Sequence, residues 1–364
     1  MVPVLSVTKV TKLPVHKSEA PPAPDLDDPS AAGLSLLVVV PCLNEEQTVS
    51  RVVSGVPRRI IGIERVEVLV IDDGSSDATA QRARESGADV VRHSINQGLG
   101  SSFQEAVRIA LARGVDILVN IDGDGQFNPE NIPLVVAPVV NQQADMATAS
   151  RFLDSSKRPE MPAIKRWGNR CVARIVWLLT GKRFHDVSCG FRAFSRKALL
   201  RMNLFGSFTY TQEAFLDLLF KDLAIREVPV QVRGTREFGT SRVASSIPRY
   251  ALRSLQIMLG AFISYRPFRF FAAIASVFLL VGLCCLVFLG IHYLRTRVFT
   301  PHIWAGFVGG SFTFLGIVTL IVGFIGDMLM RIRMNQENIL YLLKAGDTEK
   351  AAETWPADAP KGKA

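Results

Sequence analysis

The sequence predicts an α/β fold: a mostly parallel sheet flanked by helices, followed by interfacial helices and a two-helix transmembrane hairpin. Three observations predict it. Apolar runs of strand length alternate with segments of helical periodicity from about Leu36 onward. Three of those runs end in clusters of Asp, Glu, Asn and Gly, the residues of sites at the carboxyl ends of parallel strands. Two late stretches, Phe270 to Leu294 and Val298 to Gly326, contain no Asp, Glu, Lys or Arg, and each exceeds the ~20 residues that cross a bilayer.

Residues 1–33 mix Pro, Ala, Ser and charges, as in "HKSEAPPAPDLDDPSAAG", with no long apolar core, and predict a flexible tail without a signal peptide. Order is expected to begin at "LSLLVVVPCLNEEQTV", where Leu36 to Val40 read as a buried strand ended by Pro41. Asn44 is expected to cap the next helix, with Glu45 and Glu46 near its positive end. "VEVLVIDDGSSDAT" repeats the pattern: strand, acidic glycine turn, helix start at Ser76 or Asp77. "ADVVRHSINQGLGSSFQEAVRIALARG" gives a short strand, a glycine loop and an amphipathic helix closed by Gly114.

"ILVNIDGDGQFNPENIP" then sets Asp122, Asp124 and Gln126 at the end of a strand apolar on both faces. Carboxylates crowded at such a point repel unless a positive charge sits between them. A solvated acidic turn is one explanation, because Asp and Gly are ordinary turn residues. Asn44 and Glu45, Asp72 and Asp73, and Asp122 and Asp124 all fall at strand ends, and that recurrence favours a divalent-metal site. "ADMATASRF" follows as a further strand.

The 364 residues carry a formal charge of +9 and are 48% hydrophobic. The apolar excess collects after residue 267, and much of the basic excess lies between residues 151 and 269. That distribution favours membrane and phosphate partners. With no zinc-finger spacing and no basic region with heptads, it argues against nucleic acid. The five cysteines are odd in number, scattered and without a CxxC pair, which argues against a disulfide framework or a zinc site.

The expected organisation is a tail over 1–33, a catalytic domain over 34–243 and juxtamembrane amphipathic helices over 244–267. Two spans follow within 268–328 (about 270–293 and 303–326), then a C-terminal tail over 329–364. Arg249, Arg253, Arg266 and Arg269 precede the first span, and Arg331, Arg333 and Lys344 follow the second; the connecting loop holds only Arg295 and Arg297. The positive-inside rule then puts the catalytic domain and both termini in the cytoplasm. Self-association as a homo-oligomer is left open.

In order, "PCLNE", "DDGSSD", "NQGLG", "DGDGQ", "ASR", "DVSCGFRAFSR" and "REFGTSR" resemble the family 2 glycosyltransferases. Within that family they are most similar to the dolichol-phosphate-mannose synthase-like enzymes that glycosylate a polyprenyl phosphate. The resemblance runs from about Leu36 to Arg242. It implies a GT-A (nucleotide-diphospho-sugar transferase) fold, a nucleotide sugar donor, a polyprenyl phosphate acceptor and inverting hexose transfer. It also implies Mg²⁺ or Mn²⁺ held by Asp122, Asp124 and Gln126, where a hard cation offsets the charge of the departing diphosphate. Pro41, Leu43, Glu45, Asp73, Asp122, Gly123 and Asp124 match donor-binding positions. Arg151, Arg236 and Arg242 match phosphate-binding ones.

Catalytic roles fall by resemblance on Asp124, Arg151 and Asp186, the last either a general base or a residue orienting the acceptor. Arg192 is expected to pair with it. Leu43 stands where the family often has an aromatic, Leu99 where many relatives have a lysine, and Arg242 where the final lysine of RxxGxSK would fall. A processive polysaccharide synthase is the alternative enzyme, but no QxxRW motif is present and two spans are too few for a conduit. An inert membrane scaffold of the same fold is the alternative from another class; the intact DxDxQ argues against it.

Overall fold

The computed structural model describes residues 33–154, 156, 163–204, 210–233, 237–238 and 247–354. The tail expected over 1–33 therefore lies, apart from Gly33, outside the described residues. The strands are β1 (Leu34–Cys42), β2 (Ile63–Asp72), β3 (Asp89–Arg92), β4 (Ile117–Asn120), β5 (Met146–Ser150), β6 (Arg192–Ser195) and β7 (Ile225–Pro229). The helices of the first half are α1 (Val49–Ser54), α2 (Thr79–Glu85), α3 (Leu99–Ala112), α4 (Ile132–Val140) and α5 (Ala163–Thr180). Those of the second are α6 (Arg196–Arg201), α7 (Thr211–Phe220), α8 (Ile247–Tyr265), α9 (Pro267–Thr296) and α10 (Ile303–Thr354).

The strands form one sheet in the order β3-β2-β1-β4-β6-β5-β7. Every neighbouring pair is parallel except those made by β6, which runs antiparallel to β4 and to β5. β1 lies at the centre because both of its faces are apolar: Leu36 through Val40 have no exposed surface. Leu36, Val38 and Val40 pack with Val52 of α1 and Val136 of α4, whereas Leu37 and Val39 pack with Phe103 of α3 and Phe215 of α7. The expected mostly parallel sheet flanked by helices is what the chain adopts.

Some boundaries differ from the sequence reading. Pro41 does not end β1; Pro41 pairs with Ile71 and Cys42 with Asp72. A proline removes one donor, and at Pro41 β1 is paired on one side only, with β2, because its pairing with β4 stops at Val39. Asn44 does not cap α1. It adopts φ +52, a left-handed conformation Asn tolerates, and its side chain accepts from the Ser76 amide at 2.8 Å. α1 starts later, after a turn in which the Glu45 carbonyl accepts from the Thr48 and Val49 amides. α2 starts at Thr79 rather than at Ser76 or Asp77, because Asp77 spends its carboxylate on the Thr79 amide at 3.0 Å.

α9 and α10 pack along each other. A Cβ at Gly309 would meet Leu286 at 2.9 Å and one at Gly316 would meet Leu279 at 2.7 Å, so these glycines let the two backbones approach. Both helices are long and apolar enough to cross a membrane, with mean hydropathy 2.9 and 2.1 and only 11% and 17% of their most apolar windows buried. Helices so apolar and so exposed need an apolar solvent.

α10 continues through most of the stretch expected as a tail from 329, remaining helical to Thr354; residues 355–364 lie outside the described residues. One face of this extension docks on the α/β domain. Glu337 pairs with Lys221 at 3.1 Å and with Arg333 at 2.8 Å. Lys344 Nζ donates to the Met202 carbonyl at 3.0 Å, and Arg333 stacks on Tyr265, whose hydroxyl donates to the buried Asp217.

Candidate active site

The C-terminal ends of β2, β1 and β4 lie side by side. The Asp73 amide donates to the Cys42 carbonyl at 2.9 Å, and the Ile121 amide to the Val39 carbonyl at 3.0 Å. The turn after β4 therefore folds directly onto the end of β1. A Cβ at Gly123 would collide with Cys42 Sγ and lie 3.3 Å from the Pro41 carbonyl oxygen, so only glycine allows this approach. Thr48 Oγ donates to the Gly123 carbonyl at 2.6 Å. Gly125 takes φ +70, and the following Gln126 amide donates to Asp124 Oδ1 at 3.0 Å. Asp124 is thus buried and held from its own turn, while Asp122 is half-buried. Gln126 donates through Nε2 to the Arg233 carbonyl at 3.3 Å, tying the turn to the segment after β7.

The electrostatics register in the Cys42 thiol. Burial pushes its pKa well up, and the charges of Glu45, Asp72, Asp122 and Asp124 push it further in the same direction. Cys42 is accordingly expected to stay unmodified by a maleimide at neutral pH in the folded protein and to react once the chain is unfolded in guanidinium; peptide mass mapping reads the difference.

Asp122 and Asp124, with Gln126, place oxygen donors of the kind a hard cation takes in one turn at this strand edge. Gly190 fits the same purpose, since a Cβ there would sit 3.1 Å from both oxygens of Asp122 and crowd the face they present. Its backbone is fixed by Asn120 Nδ2 and Tyr210 Oη, which both donate to the Gly190 carbonyl, at 3.0 and 2.8 Å. Among the described residues no cluster of three His, Cys, Asp or Glu side chains is arranged to hold a metal. Two carboxylates and an amide oxygen in the DxDxQ turn would be a partial ligand set, of the kind Mg²⁺ or Mn²⁺ completes with phosphate and water.

The positions expected at the donor divide into two groups. Pro41, Leu43 and Glu45 are half-buried beside the turn, and the Glu45 amide donates to Thr79 Oγ1 at 2.8 Å. Asp73 instead accepts from the Gln97 and Gly98 amides and pairs with His93 Nδ1, all at 2.8 Å. Two amides of the "NQGLG" loop, those of Gln97 and Gly98, are therefore spent on Asp73. Asp72 is a turn carboxylate: its Oδ1 accepts from the Ser75 amide at 2.9 Å.

A second polar group assembles where β5 ends and β6 begins. Asp186 has no exposed surface and accepts from Arg151 Nε at 2.6 Å, Nη2 at 2.9 Å and the Arg151 amide at 3.1 Å. Arg151 Nη2 also donates to Ser188 Oγ at 2.8 Å. The expected Asp186–Arg192 pair does not form. Arg192 lies fully buried on β6 and donates to the Thr211 and Val187 carbonyls at 2.5 and 2.7 Å. The sequence interval of six residues spans a turn and a strand start, which carry the two side chains apart.

Glu227 on β7 accepts from the Asp186 amide at 2.8 Å, the His185 amide at 2.9 Å and Ser150 Oγ at 2.8 Å, fixing the loop that holds Arg151. Sequence reasoning missed Glu227; a charged residue between Ile225 and Val228 in a strand was the available signal. It also missed Gly190, Thr48 and Asn120, which act through backbone contacts. Arg236 and Arg242 lie outside the described residues. Their described neighbour Glu237 pairs with Arg51 at 2.7 Å and Arg233 at 2.8 Å. Arg51 Nη2 in turn lies 2.7 Å from where a Gly125 Cβ would be, so the Arg51–Glu237 pair borders the DxDxQ turn.

A mostly parallel seven-stranded sheet flanked by helices, with an acidic DxDxQ turn at its carboxyl edge, is a fold of the GT-A type. The profile of the family described as "Glycosyl transferase family 2" matches residues 37–202. The uncharacterized protein MJ1222 of Methanocaldococcus jannaschii is 32% identical over 230 residues, covering 62% of this chain and 93% of its own. The chain belongs to glycosyl transferase family 2.

The UDP-N-acetylglucosamine–dolichyl-phosphate N-acetylglucosaminyltransferase of Methanococcus voltae is 26% identical over 254 residues, 64% of this chain and 94% of that one. Glucosyl-3-phosphoglycerate synthase from Mycobacterium tuberculosis, solved with Mn²⁺, UDP and phosphoglyceric acid, superposes with TM-score 0.51 at 23% identity. It covers 64% of this chain and 79% of that one. The fold expected from the resemblance is borne out.

Proposed function

We propose that this glycosyltransferase moves a hexose from a UDP- or GDP-linked donor to the phosphate of a polyprenyl phosphate, with inversion, at the cytoplasmic membrane face. The observation that carries the reading is the pairing of the acidic DxDxQ site with two long, exposed apolar helices in one chain. The Methanococcus voltae relative, named for transfer to dolichyl phosphate, supports it. α8 supports it too. Met258 faces the core while Leu252, Leu255, Leu259 and Ile263 stay exposed in one stripe, as in a helix lying on a bilayer.

In this reading an oxygen of the lipid phosphate attacks the anomeric carbon, and the bond to the nucleotide diphosphate breaks with its electron pair leaving on the diphosphate. A bound Mg²⁺ or Mn²⁺ supplies charge stabilisation to that leaving group. Asp122, Asp124 and Gln126 would hold it. Pro41, Leu43, Glu45 and the backbone at Gly123 line the donor side. Arg151, with Arg236 and Arg242 by resemblance, holds phosphate.

We assign Asp186 to positioning rather than to proton abstraction. A lipid phosphate is already ionised near neutral pH, and both Asp186 oxygens are engaged by the Arg151 guanidinium.

The test incubates the purified protein in detergent with radiolabelled UDP- and GDP-hexoses, Mg²⁺ or Mn²⁺, and undecaprenyl or dolichyl phosphate. Metal-dependent label in the lipid extract is expected. Label in long polymer would favour the processive synthase, and no turnover with any donor would favour the scaffold.

A further inference from the structure

Past Asp327 and Arg331, α10 leaves the stretch that carries no charge, yet apolar side chains continue along it for two more heptads. Ile325, Ile332 and Ile339 are 52%, 53% and 58% exposed, and Met328 and Leu342 are both 66% exposed. With exposed Asn335 they recur at alternating intervals of three and four residues. That is the a/d seam of a heptad repeat, with isoleucine at each a position and Met, Asn and Leu at d.

The face opposite this seam is already covered. Arg333, Glu337 and Lys344 point to the α/β domain, and further up the helix Gly309 and Gly316 face α9. The seam itself is bare from Ile325 to Leu342. Toward the apolar half it continues through Val318 and Ile321, 38% and 51% exposed. Lipid can cover those positions; beyond Arg331 it cannot.

We infer that α10 pairs with α10 of a second copy of this chain in a parallel, two-stranded coiled coil running from the bilayer into the cytoplasm. The inference rests on the membrane reading above, because two copies inserted alike must present their helices in the same direction. Identical positions then meet, and β-branched residues at a favour two strands over three or four. Asn335 meets its own counterpart, and two amides hydrogen-bond each other where an amide facing leucine leaves its polar atoms unpaired. The flanking positions Leu329, Gln336, Asn338, Leu343 and Ala345 are uncharged, and the charged one, Arg331, pairs with Asp327 of its own helix at 3.4 Å. With Leu329 and Leu343, both 60% exposed, the bare apolar side chains amount to roughly 700 Å² per protomer, near the ~800 Å² that a standard interface takes from each partner.

The experiment measures the mass of the full chain in lipid nanodiscs by mass photometry. It compares the native sequence with Ile339→Glu/Leu342→Glu on the seam and Met334→Glu off it; Met334 is 49% exposed. The native chain and Met334→Glu are expected at an even number of protomers, and the seam variant at half that mass. Ile339→Cys is expected to form an oxidative cross-link between copies that Met334→Cys does not.

A native chain at single-protomer mass, or a seam variant of unchanged mass, overturns the pairing. Alkaline extraction of the same membranes separates the two readings. A protein stripped from the vesicles would remove the membrane reading, whereas one that resists extraction yet runs as a monomer removes the coiled coil alone.

Discussion

Asp124→Asn is expected to lower sugar transfer by about a thousand-fold while leaving the fold and the membrane helices in place, the size of loss seen when a preorganised charge-stabilising group is removed. The side chain is 3% exposed and lies where Glu45, Asp72 and Asp122 already concentrate negative charge. Asparagine keeps the oxygen that accepts from the Gln126 amide, so the turn retains its internal hydrogen bond. What it loses is one full negative charge and one of the hard oxygens that would hold Mg²⁺ or Mn²⁺.

Two measurements check this. Label transferred to polyprenyl phosphate reads the chemistry, and the electron paramagnetic resonance signal of Mn²⁺ added with UDP reads metal capture independently of turnover. Near-native activity together with unchanged Mn²⁺ capture would remove Asp124 from the metal site. An unfolded variant would show in the thermal transition and would be replaced by Asp124→Glu, which keeps the charge and displaces it.

The sequence carried the sheet's parallel core because β1, β2 and β4 are apolar on both faces, a pattern that survives without any knowledge of partners. It carried the acidic edge for a related reason: β2 and β4 run into glycine-containing acidic turns and β1 into Asn44 and Glu45, so each cluster is made of residues close in the chain. β6 and β7 were not legible. "RAFS" and "IREVP" are short, each begins with or contains an arginine, and β6 is antiparallel between parallel neighbours. Only long-range pairing makes them strands.

The site divides along the same line. Asp122, Asp124 and Gln126 share one turn and were readable from it. The Arg151–Asp186 pair joins positions 35 residues apart, and Glu227, which fixes that loop, lies another 41 residues on. Such groupings depend on how distant strands align, which no local spacing encodes. Asp73, placed at the donor by resemblance, also carries a bond that no local spacing encodes: the amide of Gln97, 24 residues on, donates to its Oδ1.

Asp186→Asn is the second change expected to have a large effect, and its signature differs from that of Asp124→Asn. Removing the charge leaves the Arg151 guanidinium facing a neutral amide at a site with no exposed surface on the aspartate side. Breaking a buried ion pair costs about 3–5 kcal/mol, and the amide oxygen recovers part of this by still accepting one hydrogen bond, so a fall in thermal midpoint is expected. Freed from its two-point grip, the guanidinium loses its fixed direction, and misplacement by about 1 Å lowers rates by about a hundred-fold.

Positioning and base catalysis part company in two readouts. If Asp186 acts through Arg151, then Arg151→Lys should lose activity to a similar degree, and the double variant should be no worse than the poorer single one, because both changes remove the same interaction. If Asp186 takes a proton, its loss should multiply that of Arg151→Lys, and the acidic limb of the pH–rate profile should vanish in Asp186→Asn. The bidentate geometry, with Nε at 2.6 Å and Nη2 at 2.9 Å, favours the non-multiplying outcome. Losses that multiply, together with a vanished acidic limb, would return Asp186 to the chemistry itself.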